Sequence, residues 1–132
     1  MIIVSNSGRN PVPVQMALRA KKEGLKLIVI TSLTHSKSCE SRDKSGKKLY
    51  ELGDIVIDNC VPQGDALLHV GEVGTGPAST IAGSFIVNSI VADTVEKLDK
   101  ANIEIPIFVS QNTDHYNNDH LYAKYKHRIK HM

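Results

Sequence analysis

The sequence predicts an α/β fold built on an open, mainly parallel β-sheet, and three observations lead there. Short runs of Ile, Val and Leu alternate with segments of helical spacing, joined by short polar connections. The run Leu25–Ile30 is apolar at nearly every position, as a strand covered on both faces requires. Aromatic residues are scarce, with two Phe, four Tyr and no Trp, so the core must be built from Ile, Val, Leu and Ala.

The elements follow in order. Ile2-Ile3-Val4 reads as a strand. Pro11 and Pro13 suit the first turn of a helix over Val12–Glu23, where Val14, Ala17, Leu18 and Lys21 fall at helical spacing and Gly24 supplies the stop. Leu25–Ile30 is the second strand. Thr31–Lys48 is polar and Ser-rich, a loop leading into a short helix over Lys47–Leu52. Asp54–Asp58 is the third strand and Asn59–Gly76 a long loop containing glycine. Pro77–Lys100 predicts the longest helix, Ile105–Val109 a fourth strand and Leu121–Ile129 a terminal helix. At 132 residues, with no repeat or linker, residues 1–132 are expected to form a single domain.

Composition narrows the partners. A formal net charge of +2 is too small to argue for nucleic acid or an anionic membrane surface. The basic residues near the end, Lys124, Lys126, Arg128 and Lys130, suit the C-terminus of a helix. Cys39 and Cys60 have neither CxxC nor metal-ligand spacing, so reduced thiols, no metal site and a cytoplasmic location are expected, although a disulfide is open to them. The consecutive apolar runs fall short of a membrane span, and Met1–Val4 has no signal-peptide pattern, so no membrane partner is expected.

In open α/β sheets ligands bind beyond the carboxyl ends of the strands. That draws attention to Ser5–Asn10, Thr31–Ser38 and Ser110–His115. In the first, Gly8 permits a positive φ, Ser5 and Ser7 bring hydroxyls, the following helix brings N–H groups, and Arg9 could pair with a phosphate. Spacing alone leaves an anion site and a plain polar turn both open. Ser5 and Ser7 lack the Gly-x-Ser-x-Gly setting of a hydrolase nucleophile. Gly71–Gly76 is not followed by Gly-Lys-Ser/Thr, so it is a helix-start region and not a nucleotide loop.

Ile3-Val4-Ser5-Asn6-Ser7-Gly8-Arg9-Asn10 resembles the Ser-x-Ser-Gly-x-Thr loop of the SIS (sugar isomerase) family of phosphosugar-binding domains, with Asn10 where that family has Thr. Val29-Ile30-Thr31-Ser32 and Asp54–Asp58 are similar to the family's next two strands, and Gly76–Leu98 to its long helix. The strings TSLTHSKS, SGKKLYELGD and GPASTIAG look most like an uncharacterised bacterial branch. The resemblance implies a three-layer α/β/α sandwich. It also implies that this chain corresponds to the C-terminal half of a family member, lacking the N-terminal strands. An exposed apolar edge strand would follow, completed by a homo-oligomer or by a complementing N-terminal segment.

The resemblance implies that Ser5, Asn6, Ser7 and Gly8 hold the phosphate of a sugar phosphate, with Ser79 and Thr80 opening the helix that lines the site. The activity it implies is an aldose–ketose isomerase of the phosphoheptose kind, needing no cofactor. Such an enzyme needs a base that moves a proton between adjacent carbons. His35, Glu72 and His115 are the candidates, and each also fits a solvated loop side chain. The alternatives are a non-catalytic sugar-phosphate sensor and an inactive truncated remnant.

Overall fold

The computed structural model describes residues 1–114 and 117–128, which divide into two units, Met1–Ile90 and Val91–Met132. In the first unit β1 (Ile2–Val4), β2 (Ile28–Thr31) and β3 (Ile55–Asp58) form a parallel sheet in the order β1-β2-β3. The register pairs Ile3 with Val29 and Val29 with Val56. Because side chains alternate across a sheet, Ile3, Val29 and Val56 share one face. Ile2, Val4, Ile28, Ile30, Ile55 and Ile57 share the other.

The first face is covered by α1 (Pro11–Lys22) and by a 3₁₀ turn, Leu49–Glu51. Both prolines sit in the first turn of α1, where a missing N–H costs nothing. Val14, Ala17 and Ala20 are buried, and Gly24, at φ +74°, ends the helix with its N–H donated to the Lys21 carbonyl. Ile3, Val14, Ala17, Leu27, Val29, Leu49 and Leu52 make the core. The small alanines let the helix approach the sheet closely.

The second face is only partly covered. Ile30 is buried, but Ile2, Val4 and Ile55 are exposed, Ile55 by 56%. The long helix α3, Ala78–Lys100 (α2 is a short turn of helix, Leu33–Lys37), brings Gly83 against Val4, where an added Cβ would lie 3.5 Å from Cγ1. Ile81 and Phe85 on the same helix remain exposed, Phe85 by 73%.

Two expectations from the sequence are corrected, and a third observation concerns the long helix. Asn59–Gly76 is not all loop, because it holds an antiparallel hairpin, β4 (Ala66–Val70) and β5 (Val73–Pro77). Gly71, at φ +62°, starts its two-residue turn, the position at which a tight hairpin favours glycine. Second, Ile105–Val109 is not a strand in the second unit. Pro106 removes a ladder donor, and the Asn118 side chain takes both backbone groups of Val109, its Oδ1 accepting from Val109 N and its Nδ2 donating to Val109 O, each at 2.9 Å. Third, α3 is long and apolar enough, by length and composition alone, to cross a membrane, and little of it is buried. Ser84, Asn88 and Ser89 interrupt its apolar run and hide it from a count of consecutive residues. Asn88 and Ser89 donate to the carbonyls of Ser84 and Phe85, both at 2.8 Å, so these polar groups are satisfied on the helix itself.

The second unit contains the end of α3 and α4 (Asp119–Tyr125); Ile129 lies outside the described residues. Leu121 is buried, Phe108 meets Tyr122 edge-on at 5.2 Å, and Lys124 pairs with Glu104.

Two stability predictions follow from the first unit. Leu49 is fully buried, so Leu49→Ala should cost about 2–5 kcal/mol, read as a lower urea midpoint. Asp43 is buried, and its carboxylate accepts from the Ser45 hydroxyl at 2.6 Å, the Gln15 amide at 2.8 and 3.0 Å, and the Ser45 N–H at 2.9 Å. Those bonds, the Ser45 hydroxyl first, hold its pKa below the usual carboxylate value. Its stabilising effect should be complete above roughly pH 4 and lost as pH falls through the lowered folded value. Asp43→Asn should reduce stability at pH 7 and flatten the acid limb of a pH series of melts.

Candidate functional site

The carboxyl ends of β1 and β2 and the residues after β3 are laced together behind the Ser5–Asn10 loop. The Asn6 carbonyl accepts from the Ser32 N–H at 2.9 Å and the Thr31 hydroxyl at 3.0 Å. The Asn6 side chain accepts at Oδ1 from Asn59 Nδ2, 3.0 Å away. Asn59 is itself pinned, its N–H donated to the Thr31 carbonyl and its Oδ1 accepting from Val61 N–H. Since Asn59 must use Oδ1 for Val61, its Nδ2 faces Asn6, and this sets the orientation of both amides. The Ser32 hydroxyl donates to the Val61 carbonyl at 2.6 Å and accepts from the His35 N–H.

Gly8 is the tightest point of this arrangement. It is buried at φ +58°, and its carbonyl accepts from the Leu49 N–H at 2.8 Å. A Cβ built there would lie 3.1 Å from Thr31 Oγ1 and 3.2 Å from both Leu49 Cβ and Ser36 Oγ. Both the conformation and the space demand glycine.

Several polar atoms around the loop are shielded from solvent and have no partner: Asn6 Nδ2, Arg9 Nε, His35 Nδ1 and Ser36 Oγ. Buried polar groups are normally paired, so these four atoms are open to a ligand or to water. By contrast Lys48 is engaged, donating to the Ser36 and Cys39 carbonyls at 2.7 and 2.9 Å.

The structure brings Ser5, Asn6, Ser7 and Gly8 together with His35 at the ends of β1 and β2. Ser79 and Thr80 lie on the first turn of α3. They share a cleft of about 390 Å³ with Val4, Gly83 and Asn88, next to the start of the loop. The Ser79 hydroxyl is already engaged, donating to Asp65 Oδ2 at 2.6 Å, while Asp65 Oδ1 accepts from the Ser79 N–H. Glu72 does not lead into the long helix as its sequence position suggested. It sits exposed at the tip of the β4–β5 hairpin, roughly 17 Å of strand from the base. His115 lies outside the described residues.

Thr31, Ser32, Ser36 and Asn59, which orient the loop, were not among the sequence candidates. For Thr31 and Ser32 the signal was there, two hydroxyls ending a wholly apolar strand. Asn59, at the far edge of the sheet, gave none.

Comparison with known proteins bears on this same loop. The model of the SIS domain matches residues 1–32, the span from β1 through the loop and α1 to the end of β2. Over the whole chain, a UPF0309 protein of Shouchella clausii is 43% identical, and 55% of its length is covered. A UPF0309 protein of Listeria innocua is 44% identical, with 98% of this chain and 54% of the relative aligned. One from Geobacillus kaustophilus is 46% identical over 96% of this chain and 52% of its own length. The chain therefore spans about half the length of the curated relatives it matches. The laced loop around Gly8 falls inside the matched SIS segment, and Ser36, Leu49 and Asn59, which hold it from behind, fall outside.

Gly8→Ala is expected to cost about 1–3 kcal/mol from its positive φ alone, with more from crowding against Thr31 and Leu49. Its urea midpoint should drop more than that of Gly46→Ala, where φ is also positive but no atom lies within 4 Å of the added Cβ.

Proposed function

We infer that this chain is the phosphate-binding part of a SIS-type phosphosugar-binding protein. In this reading Ser5, Asn6, Ser7 and Gly8 hold the phosphate, and Ser79 and Thr80 border the sugar. The observation that supports it is the set of unpartnered buried polar atoms gathered around a loop of SIS sequence. The backbone bonds that hold the loop leave the Ser5 and Ser7 hydroxyls outside its lacing.

Binding is the part best supported. If proton transfer accompanies it, as in an aldose–ketose isomerase, His35 is the base to test. It neighbours the loop through Ser36 and Ser32, whereas Glu72 stands on a hairpin tip. A non-catalytic sensor would use the same loop without His35.

The exposed face of Ile2, Val4 and Ile55, and the exposed apolar residues of α3, support completion by further polypeptide. That would be a second copy or a complementing segment, forming a three-layer sandwich around a sheet extended beyond β1. A protein cover suits α3 better than lipid, because β1 already packs against it at Gly83. The free thiols of Cys39 and Cys60 suit a cytoplasmic setting.

A thermal melt of the chain with a panel of sugar phosphates and matched neutral sugars tests the reading. A ligand at a hundredfold its Kd should add about 2.7 kcal/mol and raise the midpoint, for phosphorylated sugars only. A cooperative melt that no sugar phosphate shifts would reject it. Solvent deuterium entering the substrate at C2, and lost in His35→Ala, would add isomerase chemistry; binding without exchange would leave a sensor.

A further inference from the structure

Arg9 is the one cation of the Ser5–Asn10 loop, and the fold leaves its charge unmatched. The ion pairs among the described residues engage Arg19, Lys21, Lys97, Lys100 and Lys124. Arg9 is in none of them, its Nε is shielded from solvent without a partner, and the residue as a whole is only partly exposed. A guanidinium is a planar cation suited to meeting an anion.

No carboxylate among the described residues is ion-paired with Arg9, including Glu40 on the segment that meets the loop at Arg42. The Arg9 carbonyl accepts from the Arg42 N–H at 2.9 Å, and Arg42 Nη1 lies 3.4 Å from Asn10 Oδ1, which places a second arginine beside the first. The adjacent carboxylate, Asp43, is taken up by Gln15 and Ser45. Lys37, Lys44 and Lys47 on the same segment are also outside the ion pairs given above. The backbone of the loop is fixed at Asn6, Gly8 and Arg9, so the guanidinium hangs from a rigid base.

We propose that Arg9 is the charge-pairing residue of this loop and that the group it takes is a phosphate, either free or carried as a monoester. The inference rests on the phosphosugar reading above and names the residue that reads the charge. A planar guanidinium can meet two phosphate oxygens at once, which a lysine cannot reproduce, while the serine hydroxyls and loop N–H groups meet the remaining oxygen.

The test is a ³¹P NMR titration of the full chain with inorganic phosphate, at two salt concentrations, for the wild type, Arg9→Gln and Arg9→Lys. Arg9→Gln should weaken phosphate binding about tenfold or more and reduce its salt dependence, with Arg9→Lys in between. Without phosphate, the Arg9→Gln protein should melt no lower than wild type, because the substitution removes an unpaired charge. Equal phosphate affinity in wild type and Arg9→Gln overturns the proposal, as does a wild type that binds no phosphate. A lower melting midpoint for phosphate-free Arg9→Gln would expose a structural partner and overturn it too. If wild type binds phosphate through Arg9 but holds sugar phosphates no more tightly than phosphate, the role of Arg9 stands and the phosphosugar reading falls.

Discussion

The Asn6 carbonyl receives two hydrogen bonds from the end of the neighbouring strand, one from the Ser32 N–H and one from the Thr31 hydroxyl. The rest of the candidate site depends on that junction. It pins the loop where β1 ends, so the chain can turn through Gly8 into α1 instead of continuing along the sheet. Gly8 then fits against Thr31, Ser36 and Leu49 with no room for a side chain, and the Leu49 N–H closes the turn from the other side. Three separate pieces of chain thus hold one loop. A rigid backbone of this kind leaves hydroxyls and a guanidinium free to meet a ligand at little ordering cost.

The two faces of the sheet tell different stories. The face toward α1 is a finished core, with Val14, Ala17, Leu27, Val29 and Leu49 fully buried. The opposite face exposes Ile2, Val4 and Ile55, and α3 exposes Ile81 and Phe85, while the β4–β5 hairpin exposes Leu67, Leu68, Val70 and Val73. Exposed apolar residues in such number are found at protein and membrane contacts and in ligand-binding grooves. The relatives this chain matches are nearly twice its length, so a molecule of their size has more chain to place against such a surface.

Binding and chemistry separate in the same way. The groups suited to hold an anion are gathered on one loop, whereas the acid–base candidates are dispersed. His35 stands beside the loop on a single turn of helix, and Glu72 is carried off on a hairpin.

By itself the sequence determined the α/β class, the three parallel strands, the helix that starts at two prolines and stops at Gly24, and the likeness of the Ser5–Asn10 loop to SIS sequence. These are local or periodic features, written in consecutive residues. It did not determine the β4–β5 hairpin, whose alternation is blurred by three glycines in the eleven residues from Ala66 to Gly76, or the loss of a strand at Ile105–Val109, where Pro106 interrupts the run and Asn118 takes the backbone groups of Val109. Only the tertiary structure decided that Asn59 orients Asn6, that Gly8 is closed in by Thr31, Ser36 and Leu49, and that Arg9 is left without an anion. Each of those depends on residues more than 20 positions apart meeting across strand ends, and no local pattern records which distant groups will share a hydrogen bond.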